Sequence, residues 1–209
     1  MEYLVVFLVL VVFLQTRITN LQRAVICLAS QSFIIAIACF VLGLSSGNGI
    51  HALLPGVLTL VVKVLFIPGA IYRLVGKLKN EREILSASNV NYSTTAAALF
   101  LVLGYVIVER LLPGSAGRDI IAASILMIMT GLSLMVLRKR AIIQIVGLIT
   151  LENGIYLLGL LMTEGLPLVV ELGVFLDVLI AVVVLVILTS RMRLSFMTTD
   201  TSVMKKLKG

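Results

Sequence analysis

Long apolar segments, separated by short polar or basic stretches, constrain the fold of this chain more than any other feature. Of its 209 residues, 60% are apolar and only 13% are charged, whereas a soluble domain has about 45–50% apolar and about 25% charged residues. A soluble domain of this length could not shield so much apolar surface from water, because the ratio of surface to volume limits the buried fraction. The composition therefore predicts a membrane protein.

Apolar segments of about 18–20 residues are long enough to cross the hydrocarbon core of a bilayer as helices. We count seven such segments, the first of them short, and predict an all-α integral membrane protein with seven transmembrane helices. The predicted helices run from Glu2 to about Leu14, Leu21 to Leu44, Ala52 to Leu74, Thr94 to Leu112, Ile120 to Leu137, Ala141 to Met162, and Leu168 to Thr189. The first has neither a basic segment before it nor a cleavage pattern of small residues, so we expect it to be retained and not removed as a signal peptide.

The basic residues divide unequally between the two sides of the membrane when successive loops are assigned to alternate sides. Fourteen of the 17 fall on one side: Arg17, Arg23, Arg73, Lys77, Lys79, Arg82, Arg138, Lys139, Arg140, Arg191, Arg193, Lys205, Lys206 and Lys208. Arg110 and Arg118 fall on the other side beside acids, and Lys63 lies inside the third helix. The positive-inside rule then predicts a multi-pass protein of the cell membrane, with its amino terminus outside and its carboxyl terminus in the cytoplasm.

A net charge of +7 would suggest a nucleic-acid partner for a soluble protein. Here the loop asymmetry accounts for the charge, so we expect the lipid bilayer as a partner and no nucleic acid. The sequence also contains no glycine-rich phosphate loop, no metal-ligand spacing and no nucleophile beside a base. We therefore predict neither an active site nor a cofactor in this chain.

Several polar residues are predicted to lie near the middle of the membrane, where an unpaired charge is energetically costly. Lys63, Glu152 and Asp177 each lie ten or more residues from the basic residue that marks the end of their helix. Gln31 and Asn153 add uncharged polar groups at a similar depth, and a further acid lies nearer the outer end. The six predicted proton-pathway residues are Glu152, Asp177, Lys63, Gln31, Asn153 and Glu171.

Two interpretations of these residues remain open. In the first, Lys63 neutralises one carboxylate in a structural ion pair that holds helices together. In the second, the residues form a lateral proton relay, because a lysine that faces two acids leaves one carboxylate unpaired, and such a group is expected to take up a proton. Pro55 and Pro68 flank Lys63 and predict a bent, movable centre of that helix.

The order of charged helices predicts a duplicated arrangement of three helices, one connecting helix and three helices. Residues 1–93 would form a three-helix part with a polar cytoplasmic linker, 94–117 the connecting fourth helix, and 118–209 a second three-helix part with a basic tail. This division depends on the placement of charges and not on sequence identities.

The stretch from Leu134 to the carboxyl terminus resembles the small NuoK-like, or Mrp antiporter C-like, subunit of respiratory complex I. The similar features are the basic loop at 138–140, Ile-Val-Gly-Leu at 145–148, an acid in each of the next two helices, and Arg-Met-Arg at 191–193. Two features depart from the typical pattern. Glu152 lies about one helical turn further along the helix, and Asp177 stands where a glutamate is usual.

The whole chain resembles component E of hydrogenase-4, with Lys-Val-Leu-Phe-Ile-Pro at 63–68 and Leu-Glu-Asn-Gly at 151–154. The resemblance implies a non-catalytic membrane-arm subunit of a group 4 nickel-iron hydrogenase or formate hydrogenlyase, in which electron transfer drives proton or sodium translocation. It implies antiporter-like long membrane subunits, a quinone-site-like anchor subunit and a soluble hydrogenase arm as partners. The nickel-iron centre and iron-sulfur clusters would lie in those partners. The alternatives are a subunit of a Mrp-type cation/proton antiporter and a non-conducting scaffold subunit.

Overall fold

The computed structural model describes residues 2–45, 53, 56–77, 87–114, 117–162, 179, 183 and 187. They form six helices: α1 Glu2–Arg17, α2 Leu21–Ser45, α3 with a π-helical segment Thr59–Phe66 and an α-helical segment Ile67–Lys77, α4 Ala87–Leu111, α5 Arg118–Leu137, and α6 Ala141–Met162. No β-strand occurs within these ranges. The predicted all-α class is confirmed for this part of the chain.

Five of the six helices, α2 to α6, are long and apolar enough to cross a membrane. The first helix has 16 residues, which corresponds to about 24 Å, less than the roughly 30 Å of a hydrocarbon core. The predicted seventh helix, Leu168–Thr189, lies almost entirely outside the described residues, as do Asp177 and Glu171. The chain is thus a multi-pass helical membrane protein, while the seventh span and the orientation stay predictions.

Helix ends differ from the sequence-based boundaries where polar residues continue a helix. The fourth helix begins at Ala87 and not at Thr94, and the third continues past Leu74 to Lys77. The apolar pattern predicts only the part of a helix that lies in hydrocarbon. Backbone hydrogen bonding continues into the interfacial region, where polar side chains are solvated.

The closest helix contact joins α5 to α6 through glycines. A Cβ atom placed on Gly131 would lie 2.6 Å from the carbonyl oxygen of Gly147, and one placed on Gly147 would lie 2.8 Å from the carbonyl oxygen of Gly131. Only glycine, whose side chain is a hydrogen atom, permits this approach. Such close packing stabilises the helix pair, because in lipid no hydrophobic effect drives helices together. Of the five candidate spans, α6 is the most buried. It packs against α5 and α2, whereas α4 packs against α5 and α1.

Most buried apolar residues fall into two clusters with a layer of polar residues between them, and a third, small cluster of Val108, Ile121 and Ala122 joins α4 to α5. The first cluster, on the side of the loops 18–20 and 138–140, contains Leu21, Ala24, Val25, Leu28, Ile67, Ile71, Val75, Leu134, Ile142, Ile143, Ile145, Val146 and Ile149. The second contains Val5, Leu8, Val12, Ile35, Cys39, Ala97, Ile120, Ala123, Leu126, Met127, Tyr156, Leu157 and Leu160. The residues between them, here called the polar layer, are Gln15, Gln31, Ser32, Lys63, Thr150, Glu152 and Asn153.

The backbone of α3 is irregular where it enters the polar layer. Residues Thr59–Phe66 are π-helical, and the N–H of Ile67 donates to the carbonyl of Val62. Pro68 follows directly, and its ring would clash with a carbonyl four residues earlier in a regular α-helix. The wider π-helical turn accommodates the proline. The irregular backbone beside Lys63 is therefore a π-helical segment.

We predict that Gly147→Ala destabilises the chain by about 1–3 kcal/mol, the usual effect of overpacking a core. The added methyl group would meet the carbonyl oxygen of Gly131 at 2.8 Å and Cβ of Leu134 at 3.0 Å. The measurement is unfolding of the full-length chain in detergent micelles by titration with sodium dodecyl sulfate. The control is Gly76→Ala, because no atom lies within 4 Å of its added methyl group. Equal stability of the two variants would contradict the close contact.

Candidate functional site

Lys63 is the centre of the polar layer and has no exposed surface. Its ammonium group donates to Oε1 of Glu152 and, over 3.1 Å, to Oδ1 of Asn153. The ring centroid of Tyr156 lies 4.7 Å from the same nitrogen. Two predicted site residues on one helix therefore meet the predicted lysine of another, and an aromatic ring completes the arrangement.

The spacing of residues along α6 explains why three side chains reach one lysine. Tyr156 lies four residues after Glu152 and three after Asn153, so it lies beside both on the helix surface. Lys63 approaches from the π-helical segment of α3. This short surface of α6 presents a carboxylate, an amide and an aromatic face to one ammonium group.

Helix α2 contacts the site through smaller polar groups. The amide nitrogen of Asn153 donates to Oγ of Ser32 over 3.1 Å. Two turns further along α2, Sγ of Cys39 lies 3.5 Å from the hydroxyl of Tyr156. The contact with Ser32 orients Asn153, so that its oxygen faces Lys63 and its nitrogen faces α2.

Three uncharged residues from three helices form a second hydrogen-bonded group next to the ion pair. Gln15 of α1 donates to Oγ1 of Thr150 over 2.9 Å, and Gln31 of α2 donates to Oε1 of Gln15. The Thr150 hydroxyl is 3.3 Å from Oε1 of Gln31 and also donates to the carbonyl of Val146 over 2.8 Å. All three side chains are buried, so this triad fixes α1 and α2 against α6.

Arg138 is buried, with 2% of its surface exposed, although its position in a basic loop predicts a solvated side chain. Its guanidinium donates to the carbonyl oxygen of Thr16 in the last turn of α1. Carbonyls at a helix carboxyl terminus lack intrahelical partners and carry partial negative charge. The Thr16 carbonyl therefore compensates part of the charge of the buried guanidinium.

The structure brings together four of the six predicted site residues in the polar layer. Lys63, Glu152 and Asn153 are in direct contact, and Gln31 belongs to the adjacent triad. Asp177 and Glu171 lie outside the described residues.

Four contacting residues were not predicted: Gln15, Ser32, Thr150 and Tyr156. Serine and threonine give no signal by themselves, because they are common in membrane helices. Gln15 lies two residues before Arg17 and resembles the polar end of an apolar segment. The one available signal is the spacing of Tyr156, which lies four residues after Glu152 on the same helix face.

The ion pair is electrically balanced but not fully hydrogen-bonded within the described part of the chain. There, Oε2 of Glu152 has no hydrogen-bond partner, and neither does Oγ1 of Thr59, one turn from Lys63 on α3. A carboxylate that binds one ammonium through one oxygen retains an acceptor for a proton or a water molecule. The arrangement can therefore hold a charge pair or accept a proton.

The chain is 31% identical to Uncharacterized protein Rv0085 of Mycobacterium tuberculosis over 156 residues, which cover 73% of this chain and 71% of that protein. It is 30% identical over 115 residues to hydrogenase-4 component E of Escherichia coli K12, and equally to that of Shigella flexneri. These alignments span 54% of this chain and 53% of each relative, about half of either protein. No protein-family model and no solved structure matches the chain.

We predict that Lys63→Met destabilises the full-length chain in detergent by about 3–5 kcal/mol, because Glu152 must then stay buried as an unpaired charge or take up a proton, and either has a cost. The double variant Lys63→Met/Glu152→Leu should recover most of that loss, since two apolar residues often replace a buried pair without cost. Titration with sodium dodecyl sulfate measures both.

The control is Arg118→Met, which breaks the exposed pair between Arg118 and Glu109, at 2.8 Å. Exposed pairs contribute about 0–1 kcal/mol, so this variant should be close to the unsubstituted chain. A Lys63→Met variant as stable as Arg118→Met would contradict a buried, charged pair.

Proposed function

The chain belongs to the same family as Uncharacterized protein Rv0085 of Mycobacterium tuberculosis, and we propose that it is a membrane-arm subunit of a group 4 nickel-iron hydrogenase or formate hydrogenlyase complex. Its distant homology to hydrogenase-4 component E suggests a hydrogenase complex. In this proposal the subunit contributes charged residues to proton or sodium translocation that is coupled to electron transfer. The single observation that supports translocation is the buried pair of Lys63 and Glu152.

The position of this pair favours movement of charge within the plane of the membrane. In α2 and α6, apolar cluster residues lie on both sides of the polar layer: residues 21–28 and 35–39 flank Gln31 in α2, and residues 142–149 and 156–160 flank Glu152 in α6. An ion that crossed the chain along a helix axis would have to pass these apolar clusters. We infer that charge enters and leaves the polar layer laterally, from neighbouring subunits.

The proposed step is a change of protonation at Glu152. When its carboxylate accepts a proton, the attraction between Glu152 and Lys63 disappears and the ammonium group is free to attract another carboxylate. Asp177, predicted at the same depth in the seventh helix, is the proposed second acid. When Glu152 releases its proton, the original pair forms again. The proton is conserved and no bond other than O–H is made or broken.

The partners follow from the same proposal. Antiporter-like long subunits and a quinone-site-like anchor subunit would border the polar layer in the cell membrane. A soluble hydrogenase arm would hold the nickel-iron centre and the iron-sulfur clusters. This chain would then act through its own ionisable residues and without a cofactor of its own.

We predict that Glu152→Gln, and separately Asp177→Asn, lowers ion transport per electron in inverted membrane vesicles of the native host at least about tenfold, because an amide cannot exchange a proton as a carboxylic acid does. Hydrogenase activity with a soluble electron acceptor should be retained, since the redox centres lie elsewhere. Transport is measured with a pH-sensitive or sodium-sensitive dye.

The matched control is Glu109→Gln, which alters a largely exposed glutamate outside the polar layer. It should transport as the unsubstituted complex does. Unchanged transport in both Glu152→Gln and Asp177→Asn would contradict the relay. The direct contact of Lys63 with Glu152 would then favour the structural scaffold, whose charges only pair.

Affinity purification of the chain from native membranes, followed by mass spectrometry, tests the assembly. We expect a hydrogenase large subunit and antiporter-like membrane subunits to be recovered together with it. Recovery of cation/proton antiporter subunits without any hydrogenase subunit would replace the proposal with the antiporter alternative.

A further inference from the structure

Tyr156 is buried beside the ion pair but does not belong to the predicted relay. Only 2% of its surface is exposed, and its ring centroid is 4.7 Å from Nζ of Lys63. A cation within about 6 Å of an aromatic centroid is attracted by the negative face of the ring, and more strongly where water is excluded. Lys63 has no exposed surface, so this attraction acts without screening by solvent.

The ring differs from the carboxylate of Glu152 in one physical respect. Glu152 attracts the ammonium only while its carboxylate is ionised, whereas the quadrupole of an aromatic ring does not change when a neighbouring carboxylate takes up a proton. Asn153 supplies a dipole through Oδ1 at 3.1 Å. A partner that does not titrate with Glu152 is thus in place on the same face of α6.

We propose that Tyr156 is a positioning residue that retains the ammonium group of Lys63 in the polar layer while Glu152 is protonated. This inference rests on the proposed function, because it assigns a role to the ring within the protonation cycle. Without the ring, neutralisation of Glu152 would leave a buried ammonium with less compensation, and Lys63 would leave the position from which the pair re-forms. The ring therefore affects the return step of the cycle.

The hydroxyl of Tyr156 has a separate role. It lies 3.5 Å from Sγ of Cys39 on α2, so its contact is with α2, whereas the ring face meets Lys63. Tyr156→Phe removes the hydroxyl and retains the ring, whereas Tyr156→Leu removes the ring. The proposal expects Tyr156→Phe to transport nearly as well as the unsubstituted complex and Tyr156→Leu to lose most transport.

Because Tyr156→Leu also changes packing, the decisive test is a series of phenylalanines at position 156 with zero, one, two and three ring fluorines. Fluorine withdraws the negative charge of the ring face with little change of shape. The series is introduced by codon suppression into the complete complex in its native host. We expect ion transport per electron to fall stepwise, to about one-tenth of the phenylalanine value with three fluorines. The same series at Tyr92, an exposed tyrosine of α4, should leave transport unchanged.

The outcomes separate this inference from the proposed function. A stepwise fall at position 156 but not at Tyr92 supports the positioning role. Normal transport throughout the series at position 156 overturns it and leaves the proposed function intact. A stepwise fall in thermal stability of the complex without a fall in transport also overturns it, because the ring would then serve packing alone. Absence of transport in the unsubstituted complex overturns the proposed function and this inference together.

Discussion

A charge can remain inside a membrane only where other groups compensate it, and the pair of Lys63 and Glu152 meets this requirement at the centre of the bundle. Both side chains are buried, and each would be strongly destabilising without the other. The pair therefore requires α3 and α6 to be in contact at one depth and in one rotational setting. The hydrogen bonds of Asn153, Ser32 and the glutamine–threonine triad surround the pair and hold that setting.

Helix α6 satisfies this requirement because its two faces have different composition. Gly147 and Gly154 lie two turns apart on the face that packs closely against α5, while Glu152 lies about 140° around the helix from Gly147. The glycine face binds α6 rigidly to α5, and the polar face receives Lys63 from α3. Close glycine packing on one side of α6 and an irregular π-helical segment of α3 on the other meet at the ion pair.

Much of the fold could be predicted from the sequence because it depends on distances along single helices. Apolar length predicts membrane helices, and residue counts from the helix ends place Lys63 and Glu152 at one depth. Neighbouring helices do not enter such counts. The counts therefore do not predict that Gln15, Thr150 and Tyr156 contact the site, since these contacts depend on which faces of different helices meet. The burial of Arg138 was missed for the same reason, because it depends on where α1 ends relative to α6.

By itself the sequence determined the membrane class, the helices of the described part and the common level of Lys63 and Glu152 along their helices, all of which follow from the local cost of placing polar groups in hydrocarbon. The tertiary structure decided that Lys63 pairs with Glu152, that an aromatic ring completes its surroundings, and that apolar clusters lie on both sides of the polar layer. Rotation and packing of helices decide these features, because lipid lets an apolar helix face in any direction until small residues and hydrogen bonds select one.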